Sequence, residues 1–377
     1  MGALVLILVL VGCGDDATVT DAGLVGTDAG SVDSAGADSA GADASGTDGG
    51  ARDLRLDCDP EASELALEAS SAGVATMRSL GDADPAGPDE VGDGLHHLFV
   101  GVADEGVTVD SSCGTQGFLV KLHDATSDRV DGGYTISPAP IVSETIVYDR
   151  YGMETPSYIR ADDRTEYIYY CAIYQSYACR DTTGVKGKLI ALRRVDGGAW
   201  ERVMHDPVPF APGSTSQCEP EIAFDPDSGL FHLFFIADDG PDAGGLYVRR
   251  SADPELFPAP AGGEDELIAP LAARPTAAFD PYDGVWRFTF DAYGGDEIVT
   301  SFSETIHPGT IEEIQARSTL VHHSLHDLHP TFHANATDSV AQAVSALFPS
   351  PEEVLFFYTG IDSAGTYRVF TQPCSRR

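Results

Sequence analysis

The feature that most narrows what this chain can become is a repeat. Between Asp82 and Cys374 the sequence returns five times to one pattern: a Pro, a short β-type piece, a turn rich in Asp and Gly, and an aromatic-rich strand. The matching pieces are "ADPAGPDEVGDGLHHLFVGVA", "METPSYIRADDRTEYIYYCAIY", "CEPEIAFDPDSGLFHLFFIA", "ARPTAAFDPYDGVWRFTFDA" and "LHPTFHANATDSVAQAVSALFPSPEEVLFFYTG". Pro220, Pro275 and Pro330 recur at close to the roughly 50-residue period of propeller blades. A further strand follows most units, as in "KLIALRRVDGG" and "GLYVRRSAD".

The strands themselves say how they must pack. Short turns imply antiparallel hairpins. An antiparallel sheet with one wet face alternates apolar and polar residues. "FHLFFIA", "YIYYCAIY" and "VLFFYTG" hardly alternate, so both their faces need cover. Blades packed radially give each sheet a neighbour on either side. The expectation is an all-β, five-bladed β-propeller over residues 53–377. A β-sandwich would also bury such strands, but it would not call for Pro at near-constant spacing. The last unit stops one strand short after "TYRVFTQPC". "DLRLDCD" near residue 55 can supply the missing outer strand, and a Cys58–Cys374 bond would then lock the ring.

The N-terminus reads as a processing signal. Ala3 to Val11 is apolar but too short to span a bilayer. It runs into Leu10-Val11-Gly12-Cys13, which resembles the bacterial lipoprotein box. Residues 1–12 are then a signal peptide, and Cys13 carries lipid. Each buried methylene of an acyl chain contributes about 0.8 kcal/mol to holding a protein on a membrane surface. From Gly14 to Gly50 there is no Lys, Arg, Glu or aromatic residue, and Asp28, Asp33, Asp38, Asp43 and Asp48 recur every fifth position. Such a composition cannot bury enough surface to offset ordering entropy. Residues 13–52 are expected to be a disordered acidic linker that spaces the propeller from the cell envelope, on the outer membrane or cell surface.

Charge and cysteine count fit an exported protein. A formal net charge of −38, with Lys only at positions 121, 186 and 188, excludes nucleic acid as a partner, because phosphate contacts need Lys and Arg. A monomer is expected, touching the membrane through its lipid alone. With Cys13 set aside, six cysteines remain, an even set that points to disulfides. Cys171 and Cys179 are close enough in sequence to bridge two neighbouring strands, and Cys58 with Cys374 would tie the termini.

In a propeller, equivalent positions of every blade converge on the axis. The residues beside each motif Pro are Asp84, Glu154 with Thr155, Glu219, Arg274 and His329. A bare structural repeat has no need of acids, a cation and an imidazole at that place. The blades and these residues resemble the five-bladed glycoside hydrolases of families 43 and 32. The resemblance implies a base or nucleophile from blade 1, here Asp84 in "ADPAG", and an acid from blade 3, here Glu219 in "CEPE". Glu154 in "METP" has the family's acid-to-Pro spacing but sits in blade 2, so it is an alternative acid or a supporting group. Glu221 competes with Glu219 or binds substrate. Arg274 and His329 would hold sugar hydroxyls, and Tyr158, Tyr174 or Tyr293 could stack on a sugar face. The implied partner is carbohydrate, with no cofactor required.

One further run, "VHHSLHDLHPTFH", gathers His322, His323, His326, His329 and His333. Imidazole is a common metal ligand, but the spacing matches no standard zinc signature. The resemblance also implies a calcium ion in the axial channel, with His329 facing it. The alternative to an enzyme is a non-catalytic sugar- or protein-binding propeller lipoprotein.

Overall fold

The computed structural model describes residues 53–59, 62–179, 186–237, 245–260, 265–269, 273–291, 297–323, 342–361 and 366–377. The expected leader and linker, and Cys13 with them, lie outside the described residues. Strands β1 (Leu56–Cys58) and β2 (Glu64–Leu67) come first. Blade 1 is β3 (Met77–Ala86), β4 (His96–Asp104), a small hairpin of β5 (Val109–Ser111) and β6 (Gly114–Gln116), then β7 (Leu119–Ser127) and β8 (Thr135–Ile136). A short helix, α1 (Pro88–Val91), lies between β3 and β4. Blade 2 is β9 (Gly152–Arg160), β10 (Thr165–Gln175), β11 (Lys186–Val195) and β12 (Glu201–Arg202). Blade 3 is β13 (Gln217–Asp225), β14 (Leu230–Ala237), β15 (Gly245–Ser251) and β16 (Glu266–Ala269). Blade 4 is β17 (Ala273–Asp280), β18 (Val285–Asp291), β19 (Glu297–Ser303) and β20 (Thr319–His323). Blade 5 is β21 (Gln342–Ser350), β22 (Glu353–Ile361) and β23 (Tyr367–Arg376), completed on its outer side by β1 and β2, which both pair with β23.

The non-alternating strands are explained by where adjacent residues go. On β10, Tyr169 packs into the core between blades 2 and 3, and Tyr170 into the core between blades 1 and 2. On β14, Phe234 faces blade 4 and Phe235 faces blade 2. On β22, Phe356 enters the blade 4–5 core and Phe357 the blade 5–1 core. All six are at most 1% exposed. A strand pleats its side chains to opposite faces, so each blade donates aromatics to two seams at once. Every such side chain contributes about 1.5–3 kcal/mol of burial.

The ring closes as the sequence suggests. β1 pairs antiparallel with β23, Leu56 opposite Arg376 and Cys58 opposite Cys374. Cys58 and Cys374 are disulfide-bonded, their Cα atoms 4.3 Å apart. A buried ion network backs the closure. Arg287 Nε donates to Asp280 at 2.7 Å, Arg376 donates to the same carboxylate at 2.8 Å, and both arginines also reach Asp283. Arg287 further donates to the Leu54 carbonyl at 3.1 Å, which ties blade 4 to the N-terminal segment. Burial works to raise the Asp280 carboxyl, but hydrogen bonds from the two arginines outweigh it and hold the group below its ordinary range.

The other two disulfides correct the sequence reading. Cys171 and Cys179 are both bonded, but not to each other: the pairs are Cys113–Cys179 and Cys171–Cys218. Cys171 is in the body of β10 and meets the first strand of the next blade. Cys179 lies past the strand's end, in the short 3-10 turn Tyr177–Cys179, against the β5–β6 hairpin. Nearness in sequence was misleading because both cysteines bond across a blade seam.

Because Cys58–Cys374 closes a loop of 316 residues, Cys58→Ser/Cys374→Ser should lower unfolding free energy by about 2–5 kcal/mol. Urea denaturation without reductant measures it, and an unchanged midpoint would contradict this closure.

Candidate functional site

Each inner strand breaks its pairing register at an equivalent place, and β3 and β21 each break it once more elsewhere. The equivalent breaks fall between Leu80 and Ala83 on β3, Glu154 and Ser157 on β9, Cys218 and Glu221 on β13, Ala273 and Thr276 on β17, and Gln342 and Ser345 on β21. Two residues then oppose one, which is a β-bulge, a device that re-aims side chains. The bulge pairs are Gly81-Asp82, Thr155-Pro156, Glu219-Pro220, Arg274-Pro275 and Ala343-Val344. Thr155 and Glu219 have φ of 47° and 53°, and among the described residues Asp196 is the only other non-glycine at positive φ. Left-handed backbone at such residues costs on the order of 1–3 kcal/mol and persists only where surroundings enforce it.

The bulges meet at the axis. They enclose a cavity of about 30 Å³ to which every inner strand contributes, with Asp82, Thr155, Glu219, Glu221, Thr276 and Ser345 among its walls. By the measure that about 10–15 Å³ holds one water, it has room for roughly two. Glu219, Glu221, Asp82 and Asp84 are 5%, 8%, 9% and 7% exposed. Four carboxyls from blades 1 and 3 are thus packed around or just behind one small polar space.

Asp84 and Glu221 form the electrostatic centre of this group. Asp84 Oδ2 accepts from the Tyr158 backbone amide at 2.6 Å. Burial pushes its carboxyl up to about 7, helped by the charge of Glu90 and opposed by hydrogen bonds from Tyr158 and Ser345. Glu221 accepts from Ser157 Oγ at 3.1 Å and from the Ala277 amide at 3.3 Å, so blades 2 and 4 hold it from either side. Burial, and then the charge of Asp84, raise it well above the ordinary carboxyl range. Like charges confined together cannot both ionise, so the pair retains protons at neutral pH.

The bulges also revise the expected ring. In blades 2, 3 and 4 the second bulge residue is the anticipated proline, Pro156, Pro220 or Pro275. In blade 1 it is Asp82; Pro85 lies beyond the bulge, and Asp84 sits one step past the cavity wall, against Glu221. Asp82 is the residue that sequence reading missed. In blade 5 the position belongs to Ala343-Val344, while His329, Pro330, His326 and His333 lie outside the described residues. Arg274 is placed on β17 by its backbone, and its side chain is outside the described set, as is Tyr293. His322 and His323 are on β20, again by backbone alone.

Glu154 goes elsewhere. It is one residue before the blade 2 bulge, and Tyr177 Oη donates to both its carboxylate oxygens at 2.5 Å. Tyr158 is also not a sugar platform. Its ring stacks on Phe99 at 4.9 Å, and its hydroxyl donates to Glu166 at 2.7 Å, so it belongs to the blade 1–2 seam. Tyr174 packs edge-on against Tyr148. For the implied calcium, six to eight oxygens at 2.3–2.6 Å would be needed. Among the described residues no three metal-ligating side chains converge on a point, and His329, the residue expected to face the ion, lies outside them; no step below runs through a metal.

The raised carboxyls fix a pH dependence. The folded chain keeps protons that the unfolded chain releases above its ordinary aspartate value of 3.8. Stability contributed by the pair is therefore full below about 4 and declines as pH rises, the Asp84 share being lost as pH passes about 7, with a slope approaching about 1.4 kcal/mol per pH unit for each retained proton. Asp84→Asn should flatten that decline. Urea midpoints of both proteins at pH 4, 5.5 and 7 test it: the variant should gain on wild type as pH rises, and parallel curves would refute the raised Asp84 carboxyl.

No family model matches the chain, and no curated protein matches it in sequence. Solved structures do match in fold. Zg3597, a family 117 glycoside hydrolase of the marine bacterium Zobellia galactanivorans, is 13% identical, with TM-score 0.54 over 86% of this chain and 91% of that one. An α-L-arabinofuranosidase from Lactobacillus brevis is 11% identical, with TM-score 0.52 over 81% and 94%. A β-1,2-mannobiose phosphorylase from Listeria innocua, in complex with β-1,2-mannobiose, is 11% identical, with TM-score 0.56 over 85% and 96%. At such identities the likeness is one of architecture: the chain is a five-bladed β-propeller of the kind found among glycoside hydrolases.

Proposed function

We propose that this is a carbohydrate-active propeller that cleaves glycosidic bonds with carboxyl groups from blades 1 and 3. The observation that carries the reading is Glu221: a buried carboxylic acid, its pKa raised well above the ordinary range by burial and the charge of Asp84, on the wall of a cavity that Asp82 also lines. Glycoside hydrolysis needs such an acid to protonate the leaving oxygen and a second carboxylate acting from the other side of the sugar. Glu221 is assigned the first role and Asp82 the second, as nucleophile or as base toward water. Glu219, the acid expected from sequence, lines the same cavity and is assigned to substrate. Asp84 does not line it; burial of Glu221, and then the charge of Asp84, hold the proton on Glu221. The fold neighbours support a sugar substrate, and the phosphorylase among them is a reminder that one fold serves several chemistries.

A second reading keeps the sugar and drops the chemistry. The cavity has room for about two waters, too little for a sugar ring, so a glycan would dock above these acids. A binding lipoprotein with a decayed centre is then the alternative. In both readings the propeller is held at the cell envelope through lipid on Cys13, with residues 13–52 as spacer.

Aryl glycosides, including α-L-arabinofuranosides and β-xylosides, and plant and algal polysaccharides make the screen. On a polysaccharide, Glu221→Gln and Asp82→Asn should each lose about 10²–10⁴ in kcat. Glu221→Gln should lose far less on an aryl glycoside whose leaving group needs no proton, whereas Asp82→Asn should lose as much on both. Equal activity of Glu221→Gln and wild type on polysaccharide would remove the proposed acid. Binding without turnover in wild type would leave the second reading. Separately, Cys13→Ser should abolish labelled palmitate incorporation and release the protein from the membrane fraction; retained label would refute the anchor.

A further inference from the structure

Two non-glycine residues on the cavity wall, Thr155 and Glu219, sit in left-handed backbone, each just before a proline. Neither conformation would hold unaided. Proline biases the residue before it toward extended backbone, and a β-carbon at positive φ is strained. The residue preceding each one shows what enforces it. Before Glu219 stands Cys218, 3% exposed and disulfide-bonded to Cys171 of blade 2, with Cα atoms 4.8 Å apart. Before Thr155 stands Glu154, gripped through both oxygens by Tyr177, which lies in the turn that Cys179 ties to Cys113. In the remaining blades the equivalent residues are Leu80, Ala273 and Gln342, and no disulfide reaches them.

The blade 3 bond is built into its surroundings. Gly187 on β11 passes so close that a β-carbon there would collide with both sulfurs. The Gly187 amide donates to Ser216 Oγ at 3.1 Å, which pins the approach to Cys218 from the other side. Downstream, Pro220 fixes its own φ, Glu221 is held by Ser157 and Ala277, and the Ile222 amide donates to Ser157 Oγ at 3.0 Å. Glu219 is therefore the one strained link between two fixed points, and its upstream point is covalent.

We infer that the Cys171–Cys218 disulfide is a positioning element for the cavity: it forces the left-handed backbone that aims Glu219 inward, a task separate from ring closure, which belongs to Cys58–Cys374. This deepens the reading of the cavity as a sugar site, because Glu219 is placed there to meet substrate. The strain itself is independent of that reading and can be measured without any substrate.

The test is a thermal cycle with glycine and alanine at position 219. Glycine accepts positive φ freely and alanine does not, so Glu219→Gly should melt several degrees above Glu219→Ala while the disulfide is present. In a Cys171→Ala/Cys218→Ala background the backbone can relax, and the gap should close. A bond that merely stabilises the fold would lower both melting temperatures equally and leave the gap intact, which would overturn the inference. Should the alanine pair fail to fold, Cys171→Val/Cys218→Ala refills the space and carries the same comparison. If a hydrolysed glycoside is in hand, the disulfide-free protein should also lose at least tenfold in turnover. A closed melting gap with no glycosidase activity in wild type would uphold the positioning role and count against the catalytic reading alone.

Discussion

Everything in this molecule rests on covering both faces of every sheet. A run such as Phe234-Phe235 sends one ring into each of two seams, and neither seam survives without the blade beyond it. An open row of blades would leave two aromatic faces in water. Closure is therefore an energetic necessity, and it is made where the chain is weakest, at its ends. The outer edge of β23 is covered by β1 and β2 from the start of the fold, and a disulfide and the Arg287–Asp280–Arg376 network keep β1 there. The arginines and aspartates are worth having as a set, since removing one partner of a buried pair typically costs about 3–5 kcal/mol.

The site is a by-product of the same geometry. Inner strands crowd together at an axis, and a bulge in each one turns side chains toward it. Apolar residues there would merely plug the hole. This chain instead puts carboxyls on two of the five strands and hydroxyls on the other three: Thr155, Thr276 and Ser345. Confinement without a cation from the described residues does the rest: burial drives both Asp84 and Glu221 upward, with the charge of Glu90 adding to the first and that of Asp84 to the second. Perturbed acids in a cleft mark a candidate functional site.

Much of this was legible in the residues. The five units, their two-faced strands and the borrowed outer strand follow from aromatic patterning and from the short count of strands at the C-terminus. So does the grouping of Asp84, Glu219 and Glu221 near one axis. What was hidden was register. In blades 2 to 4 the bulge is marked by Pro, but in blade 1 it is Gly81-Asp82, and Pro85 imitates the marker from beyond it. Helix α1 lengthens the following turn, so spacing to the next strand gives no correction. Glu154 stands two residues before its Pro where Glu219 stands one before, so it precedes the bulge and meets Tyr177 instead. Cysteine pairing was opaque for a related reason: both partners of Cys171 and Cys179 lie on neighbouring structure far off in sequence.

The central claim is that Glu221 is a neutral acid at the hub of the propeller, made so by burial and then by the charge of Asp84. Infrared difference spectra between wild type and Glu221→Gln at neutral pH report this directly. The account predicts a protonated-carboxyl carbonyl band in wild type that the variant lacks, and that disappears at lower pH once Asp84 is changed to Asn. A difference spectrum containing only ionised carboxylate bands would show Glu221 charged, and the account would fail.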